Sequence, residues 1–229
     1  MPVALITGAS RGLGRATARA LAARGWSVVA DARHADDLAA ALGRTPAAVT
    51  LPGDVTDPAH REQLADAAAR LGGLDLLVNN ASRLGPSPQP QLRAYPPAEL
   101  ARVYETNVFA PLALIQLLIG PLTAAGGIVV NVSSDAAAEA YPGWGGYGSA
   151  KAALDQLTVV LAAEEPSVRC YSFDPGDMRT DLHQQAFPGE DISGRPEPEA
   201  VVPALLRLIS ERPPSGRYQA ASLAAAVTS

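Results

Sequence analysis

Tyr147 and Lys151 stand four positions apart in the run Tyr147-Gly148-Ser149-Ala150-Lys151. On a helix, that spacing puts a phenol and an ammonium on one face. A free tyrosine titrates near pH 10, too high for ready proton exchange at neutral pH. A neighbouring cation stabilises the phenolate and lowers that value, which suits the phenol to general acid/base work. The pair alone is weak evidence, because chance matches abound. It does not stand alone: Ser133 and Ser134 close the apolar run Ile128–Val132 upstream of it. Asn107 lies within a long helical stretch, where asparagine is an indifferent helix former. Its plain reading is a capped kink or a structural hydrogen bond to a neighbouring strand.

A second constellation is Thr7-Gly8-Ala9-Ser10-Arg11-Gly12-Leu13-Gly14, between a first apolar run and an alanine-rich helical segment. Glycine is required where the chain turns with positive φ or where backbone must approach a phosphate. The helix beyond presents free N–H groups and a positive dipole end to a pyrophosphate. The spacing is G-x-x-x-G-x-G, not the commoner G-x-G-x-x-G, and a simple tight turn is the alternative. Which dinucleotide it would hold depends on the end of the second strand, Val28-Val29-Ala30-Asp31-Ala32-Arg33-His34. A carboxylate there accepts from the ribose 2′-OH, whereas arginine accommodates a 2′-phosphate. Asp31 falls one residue early, Ala32 takes the usual acidic position, and Arg33 follows, with Arg11 as a second guanidinium. This favours NADP(H) over NAD(H). Two alternatives stay open: both arginines solvated, or Asp31 turned toward the ribose.

These residues need a frame. Strands are expected at Val3–Ile6, Ser27–Ala30, Ala47–Leu51, Leu74–Val78, Ile128–Val132, Val168–Phe173 and near Arg217–Ala220. Helices are expected over about Arg15–Ala23, Asp36–Leu42, Pro58–Arg70, Pro97–Leu122, Tyr147–Ala163 and Pro198–Ser210. The third of these has Asp57 as its cap and proline at its first position. Alternating elements with nearly continuous apolar strands predict an α/β fold: a Rossmann-like, doubly wound parallel sheet with helices on both faces. No linker divides the chain, so residues 1–229 form a single domain. Two stretches read as irregular, Ser82–Pro97 and Thr180–Pro198, and residues 221–229 read as a frayed tail. Loops beyond the carboxyl ends of such strands surround the ligand crevice, which makes 180–198 the expected substrate lid.

Composition sets bounds. The chain has 229 residues, 48% hydrophobic and 18% charged, with a net charge of −5. That balance argues against a nucleic-acid partner, which needs a basic face. Cys170 is the single cysteine, so a reducing, cytoplasmic setting is expected. No uninterrupted apolar run reaches the length of a membrane span, so no membrane partner is expected. His34, His60 and His183 have no partners at metal-ligand spacing, and no metal is expected.

Taken together, these motifs resemble the short-chain dehydrogenase/reductase family in its short, single-domain branch. The resemblance runs in order over about residues 3–181. It rests on Thr7–Gly14, Asp54-Val55, Asn79-Asn80-Ala81, Asn107, Ser134, Tyr147, Lys151, Pro175-Gly176 and Thr180. It implies that Tyr147 exchanges a proton with the carbonyl or alcohol oxygen, and that Ser134 hydrogen-bonds the same oxygen. Lys151 would hold the nicotinamide ribose and depress the phenol's pKa, and Asn107 would fix a water linked to Lys151. Gly8, Ser10, Arg11, Gly12, Leu13 and Gly14 would cradle the cofactor phosphates. Asp54 and Val55 would border the adenine, Asn80 and Ala81 the adenosine side, and Pro175, Gly176 and Thr180 the carboxamide.

The implied activity is hydride transfer between NADP(H) and a ketone, aldehyde or alcohol, as in a carbonyl reductase. A non-catalytic nucleotide sensor, or a dehydratase or epimerase on the same scaffold, is the alternative. Tyr141 and Trp144, between Ser134 and Tyr147, are expected to wall the substrate pocket, and Leu182–Gly194 to form a short lid over an open site. Arg179 and His183 read as solvated surface. Departures from the family pattern are Ser82, where glycine is frequent, and Asp135 after Ser134, which caps a turn or disfavours anionic substrates. The chain end also lacks the segment that helps relatives form tetramers. A homodimer through the helices near Tyr104–Leu118 and Ala152–Leu161 is the expected assembly.

Overall fold

Seven short runs form one sheet, whose five central strands bury both faces while the two edge strands are partly exposed. In the computed structural model, which describes residues 1–225 and side chains through Leu223, the strands are β1 (Val3–Ile6), β2 (Ser27–Ala32), β3 (Ala48–Pro52), β4 (Leu76–Asn79), β5 (Ile128–Val132), β6 (Arg169–Asp174) and β7 (Gly216–Gln219). Their order is β3-β2-β1-β4-β5-β6-β7, and every pairing is parallel. The order reverses between β1 and β4, and a crevice opens beyond the carboxyl ends at such a point.

The helices are α1 (Gly12–Ala22), α2 (Ala35–Leu42), α3 (Pro58–Arg70), α4 (Pro97–Tyr104), α5 (Ala110–Ala125), α6 (Gly145–Glu164), α7 (Asp181–Ala186), α8 (Pro198–Glu211) and α9 (Ala220–Ala225). The two-residue period of a strand assigns each side chain to a layer. Ala4 and Ile6 of β1 pack with Leu21 of α1, Leu38 of α2 and Leu205 of α8. Val3 and Leu5 face the opposite layer, with Leu64 of α3 and Leu114 and Leu118 of α5. Both layers are needed to cover a parallel sheet.

Three expectations are corrected. The long helix over Pro97–Leu122 is interrupted by a π-helical turn, Glu105–Phe109, between α4 and α5. The run Pro97–Ala125 is long and apolar enough by composition to cross a membrane, but Leu114, Ile115, Leu118 and Leu122 bury against the sheet. The supposedly frayed tail is helical as α9, where Leu223 packs on the core and its carbonyl accepts from Arg207; residues 226–229 of that tail lie outside the described residues. Thr180–Pro198 is not wholly irregular either. Thr180 caps α7 by accepting from the His183 N–H, a capping interaction that a six-residue helix needs because its own propensity is marginal.

Candidate active site

The glycine loop is held from three sides. Its Gly8 N–H donates to Asp31 Oδ1 at 2.7 Å, and the Ala9 N–H to the Asp31 carbonyl at 2.7 Å. Asn80 Nδ2 donates to the carbonyls of Thr7 and Gly8, while the N–H groups of Asn80 and Ala81 donate to Thr7 Oγ1. Gly8 and Gly12 adopt positive φ, +66° and +54°. A Cβ on Gly14 would stand 2.5 Å from the Gly8 carbonyl oxygen and from Asn80 Nδ2. So Gly14, which does not line the cleft, is required for packing beneath it. The first N–H groups of α1 are left free by helix geometry at the place where a pyrophosphate is best bound.

The end of β2 brings both Asp31 and Arg33 to the cleft. Asp31 is 1% exposed, and its second oxygen takes the Nε2 of buried His60 at 3.2 Å. Burial pushes the Asp31 carboxyl above its ordinary pKa, with the His60 and Gly8 contacts opposing. Each oxygen therefore carries one protein contact, and Asp31 also lines the cleft. Arg33 follows the strand and lines the cleft, as do Asp54 and Val55. Asp54 is turned inward on its own loop. Its Oδ1 accepts from the Thr56 N–H and hydroxyl, and these contacts, with Arg33 nearby, outweigh desolvation and hold its carboxyl below the usual range. Arg11 lines the cleft too, yet its guanidinium is paired with Asp181 of α7 at 2.7 Å.

At the other end, β5 delivers Ser134 and α6 delivers Tyr147 and Lys151, all to one cleft of about 1000 Å³. The same cleft takes in Gly8, Ser10, Gly12 and Leu13 of the glycine loop, Asn80 and Ala81 after β4, and Pro175, Gly176 and Thr180 after β6. Tyr147 is 6% exposed and Lys151 2%. Lys151 Nζ donates to the Val132 carbonyl at 2.7 Å and sits 5.4 Å from the centre of the Tyr147 ring. Burial pushes Tyr147 up to about 12, Ser82 opposing, and pulls Lys151 down to about 8. Desolvation of the buried phenol is the largest of these effects, and Lys151 is not among the charges that shift it. Ser134 Oγ donates to Asp135 Oδ1 at 2.9 Å and accepts from the Ala136 N–H.

Asn107 lies outside the cleft lining, 0% exposed. Its Oδ1 accepts from the Arg83 N–H at 2.8 Å and from Ser82 Oγ, and its Nδ2 donates to the Arg83 carbonyl. The π-helical turn carries it, and its side chain closes the loop after β4. Trp144 lines the cleft edge-on to Tyr147, with ring centres 5.9 Å apart. Tyr141, expected to wall the pocket, is not among the cleft-lining residues; it is 44% exposed and donates to Asp135 Oδ2 at 3.1 Å. The lid is folded down: Phe187 meets Trp144 at 5.8 Å, and Ser87 Oγ donates to the Gln185 carbonyl. His183 is buried against Phe187, contrary to the expectation of solvated surface, whereas Arg179 is exposed and pairs with exposed Glu197.

Sequence reasoning missed Arg217. From β7 it donates to the Ser134 carbonyl, to Asp174 and to Asp155 of α6. It fixes the strand end that carries Ser134, and nothing local to a lone arginine near the chain end signals this. Asp174 was more legible. An aspartate before Pro-Gly favours a local turn, and its Oδ1 does accept from the Gly176 N–H.

Comparison with known proteins agrees with this geometry. The family described as short chain dehydrogenase matches residues 2–191. The chain is 37% identical over 202 residues to a sepiapterin reductase of Meriones unguiculatus, covering 80% of this chain and 77% of the relative. It is 36% identical over 185 residues to a serine 3-dehydrogenase of Agrobacterium fabrum, covering 78% and 72%. Among solved structures, an alcohol dehydrogenase from Thermococcus sibiricus complexed with 5-hydroxy-NADP superposes with a TM-score of 0.85 at 28% identity, covering 96% of this chain and 95% of that one.

Proposed function

The chain belongs to the short-chain dehydrogenase/reductase family, and from that premise we propose that it is an NADP(H)-dependent reductase of a ketone or aldehyde. The observation that carries this reading is the convergence of Ser134, Tyr147 and the glycine loop on one cleft, with buried Lys151 behind the phenol. The glycine loop suits a dinucleotide: Gly8 backs onto Ala81, where a Cβ would stand 2.9 Å from the Ala81 Cα, and the α1 N-terminus faces the cleft. Bound nicotinamide would supply the hydride.

The protein's own part is proton transfer and orientation. A phenol held at about 12 is protonated at neutral pH, so Tyr147 is poised to donate to the carbonyl oxygen as negative charge develops there. Ser134, by rotating its hydroxyl from Asp135 to the same oxygen, fixes that oxygen beside the phenol. Lys151 keeps a cation beneath the ring while anchored to the Val132 carbonyl. Asp31 accepts from the Gly8 N–H and pairs with His60, and Arg33 beyond it brings a cation to the cleft that suits a 2′-phosphate. This favours NADP(H).

Tyr147→Phe tests the reading. It should lower ketone reduction by about a hundredfold to ten-thousandfold, the usual worth of a general acid. NADPH binding, followed by fluorescence, should stay within a few-fold of the parent. Retained turnover would remove Tyr147 from the proposed role.

A further inference from the structure

Asp135 sits beside the reacting groups with its charge unmatched. Its Oδ1 accepts from the Ser134 hydroxyl and the Ala136 N–H, and its Oδ2 accepts from the Tyr141 hydroxyl. A carboxylate offers about four acceptor sites, so one remains on Oδ2. All three donors are neutral. Among the described residues no cation pairs with it. Arg217 is spent on Asp174, Asp155 and the Ser134 carbonyl, Arg195 on Asp177, Arg179 on Glu197, and Lys151 on the Val132 carbonyl. The negative charge is felt nearby, since Asp135 helps to raise both the Tyr141 and Tyr147 phenols.

Aromatic rings gather on the same side. Trp144 meets Tyr141 at 6.5 Å, Tyr147 at 5.9 Å and Phe187 at 5.8 Å, and Leu84, Leu182 and Ala186 pack around Trp144 and Tyr147. An unpaired carboxylate beside a cluster of aromatic rings is a site for a desolvated organic cation. An apolar wall alone would accept neutral ketones equally well; the carboxylate gives the discrimination.

Resting on the carbonyl-reductase reading, we propose that the substrate carries a protonated amine close to its carbonyl, held between Asp135 and Trp144. Because Ser134 Oγ lies 2.9 Å from Asp135 Oδ1, an oxygen on the first and a nitrogen on the free Oδ2 site are at most about 11 Å apart at ordinary hydrogen-bond lengths. An amine two or three bonds from the carbonyl carbon falls within that reach. The class is an amino ketone, or in reverse an amino alcohol, with an apolar body along Trp144.

The test uses the full-length protein with NADPH and two aryl ketones. One is the dimethylamino derivative of propiophenone; the other is its carbon isostere, in which CH replaces the nitrogen. The cationic ketone should be favoured in kcat/KM by about tenfold or more, a ratio expected for a partly desolvated cation site. Asp135→Asn should bring that ratio to within about twofold of unity, whatever it does to the absolute rates. Trp144→Leu should reduce it in part. Equal kcat/KM for the two ketones in the parent protein, or an unchanged ratio in Asp135→Asn, would overturn the proposal. Should neither ketone be reduced, the reductase reading has failed for these compounds, and binding is read by titrating tryptophan fluorescence with each ketone. Saturable quenching by the cationic ketone alone, lost in Asp135→Asn, would still uphold the cation site; equal quenching by both would reject it.

Discussion

At the scale of single residues, burial and polar pairing decide more than charge counting does. Arg33 and Arg11 look equivalent in sequence, yet Arg11 is tied to Asp181 across the cleft while Arg33 stands at the end of β2. Arg33→Ala should therefore weaken NADPH binding by about thirtyfold, in line with about 2 kcal/mol for a hydrogen bond to a charged group. NADH binding should change little. A comparable loss for both dinucleotides would show that Arg33 does not meet the 2′-phosphate. Lys151 carries a second prediction. Its folded pKa of about 8 lies below the ordinary 10.5, so between those values the unfolded chain binds more protons than the folded one. Stability from this group must rise as pH rises across that window, by about 3 kcal/mol at most for a shift of this size. Lys151→Met removes the titration, so the variant's stability relative to the parent should be most favourable near pH 7 and decline toward pH 10. Urea unfolding at the two pH values checks the slope, and a pH-independent difference would contradict it.

At the scale of elements, loops are held by packing that looks like freedom in the sequence. Gly14 lies in an α-helical conformation, where glycine is costly, and is kept because its missing Cβ lets α1 touch the Gly8 carbonyl and Asn80. Gly14→Ala should displace the glycine loop, cost about 1–3 kcal/mol through overpacking, and sharply weaken NADPH binding. Gly120 makes the contrast. It lies on the exposed face of α5, and a Cβ there meets nothing within 4 Å. Gly120→Ala should leave binding alone and stabilise the protein by up to about 1 kcal/mol. Thermal melts with and without NADPH distinguish the two variants; equal behaviour would refute the packing argument.

At the scale of the whole molecule, an apolar stripe is left uncovered. Phe109 and Leu117, eight residues apart and on one face of the helical run, are 50% and 44% exposed; Val159 and Val160 of α6 are 57% and 42% exposed. We propose that a second copy of the chain covers this face, because self-pairing of α5 and α6 would bury the stripe symmetrically, as homo-oligomers do. Leu117→Glu together with Val159→Glu places charges inside that contact and should yield monomers in sedimentation experiments. A parent protein that is already monomeric at tens of micromolar would dismiss the dimer.

The sequence by itself determined the frame and the chemistry-bearing types. The apolar strand runs, the glycine loop, the Asp57 cap of α3 and the Tyr147–Lys151 spacing are local signals, and the seven strands appear within a few residues of their expected places. The break between α4 and α5 and the helices α7 and α9 were not expected. Tertiary structure decided what depends on distant partners. It paired Asp31 with His60 and kept Asn107, on a π-helical turn, out of the cleft lining. It gave Ser134 an anchor in Arg217 from the last strand, and it made desolvation the largest effect on the Tyr147 phenol. A pKa depends on everything that surrounds a group in three dimensions, so the phenol's shift could not be read from the three residues separating it from a lysine.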